Sequence, residues 1–108
     1  MRLAALGFLV ALTACAPVQQ AVDNTARQGA KRVVTETLAT RFPQVPKELI
    51  TPFTDCIIDN SNAIEIREYV RASIGGVDDT TVATIRGVLA RPETAQCLQK
   101  SAFSLGLV

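Results

Sequence analysis

The chain has 108 residues, with 11 Lys and Arg against 10 Asp and Glu, and no histidine. A net charge of +1 supplies no electrostatic footprint for nucleic acid or for an anionic membrane surface. The absence of histidine removes the commonest general base and the commonest transition-metal ligand, so neither a Ser-His-Asp nor a Cys-His site can be built.

The chain opens on a short basic start, Met1-Arg2, and an apolar run from Leu3 to Leu12. About ten apolar residues suit a secretory signal, well short of the roughly 20 that span a bilayer as a helix. The run closes on Leu12-Thr13-Ala14-Cys15. Here the chain resembles bacterial lipoproteins, whose lipobox is Leu, a small or hydroxyl residue, Ala or Gly, then Cys. The resemblance implies a signal peptide over residues 1–14, cleavage after Ala14, a diacylglycerol thioether on Cys15, and acylation of the new amino terminus by a fatty acid such as palmitate. In such proteins an Asp after the Cys retains them in the inner membrane. Ala16 stands there instead, which implies the outer membrane, facing the periplasm.

Two other readings fit the same residues. Ala14-Cys15-Ala16 is also an A-x-A cleavage site, but that cut would leave Pro17 first, with its hindered amide at the scissile bond. An uncleaved anchor is disfavoured by length. Two or three acyl chains, at roughly 0.8 kcal/mol per buried CH₂, would make Cys15 a stable anchor where one chain gives only marginal binding.

Export, as the lipobox implies it, bears on the other two cysteines. With Cys15 assigned to lipid, Cys56 and Cys97 remain in a chain bound for an oxidising compartment, where thiols pair. A Cys56–Cys97 bond is therefore expected in preference to two buried free thiols. It would close a loop of about 40 residues, for which chain entropy gives a stabilisation of roughly 4 kcal/mol. Loss of Arg2 with the signal leaves basic and acidic residues equal in number.

The mature chain reads as helical throughout. Val18 to Arg41 forms a long helix with Val18, Val22, Ala26, Ala30, Val33, Val34 and Leu38 at steps of three and four. Asp23/Arg27 and Arg32/Glu36 are opposite charges one turn apart. The apolar stripe is narrow and the four threonines in it lower helix propensity. Residues 15–42 are thus expected to be a lipidated tether, packed either on a partner helix or on the chain's own domain. Phe42-Pro43-Gln44-Val45-Pro46 breaks the pattern and marks the expected boundary to a domain over 43–108.

In that domain a short turn at 47–50 precedes a helix from 52 to about 59, with Thr51 as N-cap and Pro52 in the first turn. Asn62-Ala63-Ile64-Glu65 has the spacing of a capping box, and the helix it starts should turn Ile66, Tyr69, Val70, Ser73 and Ile74 inward. Gly75-Gly76 stops it. Asp78-Asp79 caps a third helix, about 80–90, with Val82, Ile85, Val88 and Leu89 on one side. Pro92 opens the last helix, 92 to about 102, which carries Ala95, Cys97, Leu98 and Ala102. Phe103, Leu105, Leu107 and Val108 make the end apolar, so it should dock on the core or on a partner. The expected fold is all-α: a tether helix, then a small four-helix domain closed by one disulfide. No strand alternation competes with it.

The chemistry-bearing candidates are few. Asp55 and Asp59 lie one turn apart, with Glu65 and Glu68 nearby. A glycosidase pair would also need a cleft, aromatic platforms and one raised pKa, and the chain has no Trp. A solvated helix face accounts for these acids better. Asp59-Asn60-Ser61-Asn62 lacks the Gly and the final Glu of a calcium loop. Gly75-Gly76 lacks the lysine of a phosphate loop. With Cys56 and Cys97 paired there is no free nucleophilic thiol, and no metal or cofactor is implied. Arg67 and Arg71, one turn apart, are candidates for a partner's carboxylate, and Phe103, Leu105 and Leu107 for an apolar contact.

The leading expectation is a lipid-anchored envelope protein acting as a non-catalytic interaction or accessory subunit with a protein partner. A small-ligand or lipid carrier in the periplasm is the alternative. A hydrolase using only carboxylates comes third.

Overall fold

The structure is a computed structural model. It describes the backbone of residues 15–106 and the side chains of residues 24–106. The expected signal segment 1–14, the Cys15 side chain and Leu107 lie outside the described residues. Among the described residues there are five α-helices and no strand. They are α1 (Cys15–Arg41), α2 (Ile50–Asp59), α3 (Ala63–Gly75), α4 (Asp79–Leu89) and α5 (Pro92–Ser104), with one 3-10 turn over Lys47–Leu49.

α1 ends at Arg41, two residues before Pro43, as the restriction that proline places on its predecessor requires. Its second half belongs to the core. Ala30, Val33, Val34 and Leu38 are buried, and Phe42 joins them just past the helix end. They pack mainly on α3 and α2. The prolines turn the chain back on the helix they end, so that residues 30–38 of α1 pack on the helices that follow the break. Thr37 is fully buried in the same face, its hydroxyl satisfied by donating to the Val33 carbonyl at 2.7 Å.

α2 starts earlier than its sequence indicates. Leu49 is its N-cap, with no side-chain capping bond, and Thr51 is already inside the helix. Pro52 still falls in the first turn, where its missing N–H leaves no bond unmade. The 3-10 turn feeding α2 replaces the side-chain cap: Leu49 N–H donates to the Pro46 carbonyl at 2.9 Å. At the other end, Asn60 donates to the Cys56 carbonyl and Ser61 to the Ile57 carbonyl, at 2.8 and 2.6 Å. Thr54, Cys56, Ile57 and Ile58 are buried.

α3 opens on the expected capping box. Asn62 Oδ1 accepts from Glu65 N–H at 2.9 Å, and Glu65 Oε1 accepts from Asn62 N–H at 2.8 Å. Its inward face differs from expectation. Tyr69 and Ala72 are buried, Ile66 and Val70 are half-buried, Ser73 is exposed, and Ile74 is 87% exposed. Gly29 of α1 faces Ser73, where an added Cβ would meet Ser73 Oγ at an ordinary contact distance of 3.9 Å. With Tyr69 and Ala72 in the core beside Ala30, Ile74, five residues past Tyr69, falls about 140° away. Gly76 ends α3 with φ of 95°, a conformation that costs glycine nothing.

Asp78 caps α4, accepting from Thr81 N–H at 3.1 Å, and Val82, Ile85 and Val88 point inward. Arg86 of α4 lies over the Phe42 ring, 5.8 Å from its centroid. Pro92 takes the first position of α5, with Arg91 extended before it. One core unites α1 to α4 with Phe42. No residue of α5 belongs to it.

Candidate interaction surface and the clusters beneath it

Cys56 and Cys97 form a disulfide, joining α2 to α5 with their Cα atoms 5.7 Å apart. Cys56 is buried and Cys97 is half-buried. Ser101, one turn after Cys97, sets its hydroxyl 3.6 Å from the Cys56 sulfur.

The four carboxylates considered for acid–base work are spread over three ion-paired sites. Asp59 pairs with Arg27 at 3.6 Å and Asp55 with Lys31 at 3.2 Å, both across the exposed seam of α1 and α2. Glu65 meets Arg91 through two hydrogen bonds of 2.6 and 2.8 Å, and Arg91 also donates to the Asn60 carbonyl at 2.6 Å. One carboxylate thus caps α3 and holds the start of α5. Glu68 accepts two bonds from Arg71, at 2.7 and 2.9 Å, and one from the Thr81 hydroxyl at 3.1 Å.

That arrangement has an electrostatic consequence. The hydrogen bond from Arg71 holds the Glu68 carboxyl below its ordinary 4.5, against the desolvation that pushes the other way. The Thr81 backbone N–H does the same for Asp78. A general acid needs the opposite shift. Tyr69, buried at the centre, has its phenol pushed up by burial. No group of three acids or cysteines among the described residues is placed to hold a metal ion.

The residues expected to face a partner are not brought together. Arg71 is taken up by Glu68 and by Asp78, at 2.7 and 3.2 Å. Arg67 is exposed, with no ion pair among the described residues, and borders a groove with Ala26, Ile66 and Val70 between α1 and α3. Phe103 and Leu105 are 75% and 52% exposed. The apolar tail, as far as Gly106, thus does not dock on its own core, because α5 presents only Thr94 and Ala102 as buried side chains. Leu105 instead borders a shallow depression with Pro52 and Asp55 at the start of α2.

Sequence reasoning missed the Glu65–Arg91 lock and the Thr35–Thr54 hydroxyl pair at 3.0 Å. Both join distant helices, and no local spacing announces them. Among the described residues no helix is long and apolar enough to cross a membrane. No family model matches the chain, no curated protein matches its sequence, and no solved structure matches its fold.

Proposed function

We propose that the chain is a lipid-anchored protein of the bacterial cell envelope, held at the outer membrane through Cys15, and that it serves as a non-catalytic interaction subunit. The observation that carries this reading is the sequence Leu12-Thr13-Ala14-Cys15 closing a short apolar run behind Arg2. A helical body clamped by a disulfide supports it, since pairing suits an oxidising compartment. The exposed Phe103 and Leu105 at the far end of the chain supply an apolar contact for a protein partner. Each candidate carboxylate already has a base as its partner, and the Glu68 carboxyl is held below its ordinary value by Arg71, which speaks against the hydrolase reading.

The test has two stages. Cells expressing the full chain are labelled with a clickable palmitate analogue; incorporation that disappears in Cys15→Ala supports the anchor, and labelling of neither protein overturns it. The lipidated chain is then crosslinked in native membranes and purified. A stoichiometric protein whose recovery is lost in Phe103→Ser/Leu105→Ser establishes the interaction role. Recovery alone, or with lipid only, overturns it in favour of a carrier.

A further inference from the structure

We propose that the Cys56–Cys97 bond is the fastening of α5, and that its reduction by a dithiol releases α5 from a body, α1 to α4, that stays folded. Three observations carry this. First, no residue of α5 joins the apolar cluster that unites α1 to α4, to which each of those helices contributes at least two, and the one buried apolar side chain of α5, Ala102, lies outside it. Second, the buried side chains of α5 are the small residues Thr94 and Ala102, and the Thr94 hydroxyl has no hydrogen-bond partner among the described residues. An unpaired buried hydroxyl opposes docking. Third, the strong polar tie, Arg91 to Glu65 and the Asn60 carbonyl, sits at the N-cap of α5. It acts as a pivot, leaving the rest of the helix fastened by the disulfide.

The two cysteines differ in exposure, and this gives the exchange its proposed direction. Cys56 is 1% exposed, and Cys97 on α5 is half-buried. A thiolate of the reductant bonds to Cys97 Sγ as the sulfur–sulfur bond breaks. The electron pair leaves on Cys56 Sγ, beside the Ser101 hydroxyl, and that thiolate takes up the proton the reductant lost. The second thiol of the reductant then displaces Cys97, closing the reductant's own disulfide. Two electrons have passed from the dithiol to the two cysteines. Released, α5 has 13 residues, a length at which an isolated helix is marginal in water. Its departure uncovers the face of α2 around Pro52 and Cys56, where the end of α5 now lies.

The experiment is hydrogen exchange on the full mature chain before and after dithiothreitol, with free thiols alkylated beforehand. Amides of residues 95–104 should lose their protection and approach the rates of an unstructured peptide, while those of α1 to α4 keep theirs. Loss of protection along the whole chain overturns the proposal, since the bond would then staple the entire fold. Unchanged protection in α5 overturns it as well. Cys97→Ser, without reductant, should show the same loss confined to α5. For direction, a brief exposure to glutathione followed by acid quench and peptide mapping should place the mixed disulfide on Cys97; an adduct on Cys56 would reverse the proposed order. None of these outcomes depends on the identity of a partner.

Discussion

Tyr69 sits fully buried in the core, and its hydroxyl meets Ser61 Oγ at 3.2 Å, while Ser61 also donates to the Ile57 carbonyl. The ring supplies apolar area and the hydroxyl ties α3 to the end of α2. Tyr69→Phe keeps the first and removes the second, so chemical denaturation should show a loss of about 1 kcal/mol. Leu38→Ala, by contrast, empties a fully buried site between helices and should cost about 2–5 kcal/mol in the same measurement. Glu68 links residue chemistry to pH. Its carboxyl is held below 4.5 in the folded chain, foremost by Arg71. A depressed folded value stabilises above the unfolded value and loses that contribution as pH falls through the folded one. Unfolding free energy should therefore drop as the solution is acidified below about 4.5. Glu68→Gln should flatten part of that slope, and an unchanged slope would show that the pairing contributes nothing to acid sensitivity.

At the scale of elements, the helix starts test how much sequence spacing decides. Asn62→Ala removes the acceptor of the α3 capping box and should destabilise by about 1 kcal/mol, read from the thermal midpoint. Ile74→Ser, at a position expected in the core but 87% exposed, should change stability by no more than about 0.5 kcal/mol. The contrast marks what was legible. The Asn62–Glu65 capping box, the Asp78 cap, the Pro92 start and the Gly76 stop depend on residues within four positions of one another, and the sequence displays them. The roll of α3 does not, because Ala72 and Ser73 are small enough to face either way. Which one turns inward depends on packing against helices far away in the chain, where Ala72 joins Ala30 in one apolar cluster. The start of α2 was misplaced for a related reason: a 3-10 turn did the work of a side-chain cap. Of the candidate site, the Cys56–Cys97 pairing was legible only through the export that the lipobox implies. The exposure of Phe103 and Leu105 was left open between core and partner. The ties of Arg71 to Asp78 and of Glu65 to Arg91 lie beyond any helical repeat.

For the whole molecule, the second half of the long helix packs on the chain's own helices, α3 and α2 foremost, one of the two packings that its sequence left open. The seam of α1 and α2 has two ion pairs, Arg27–Asp59 and Lys31–Asp55, in which one helix supplies both bases and the other both acids. As attractions, exposed pairs of this kind contribute little. Their spacing has a different consequence. The helices run antiparallel, so a slip of one turn in one direction would carry Lys31 past Asp55 and leave it without its acid. In the other, Thr35 would face Asp55 and Arg27 would lose its acid. The apolar residues of α1, mostly Ala and Val at repeating steps, discriminate poorly between such alignments. The charges do discriminate, because each wrong alignment forfeits an attraction. Lys31→Asp alone should thus broaden the amide spectrum of α1 toward mixed alignments, and the exchanged pair Lys31→Asp/Asp55→Lys should restore a single set of resonances. The exposed pairs would then be a ruler for helix register, written in charge along a surface that carries almost none of the fold's binding energy.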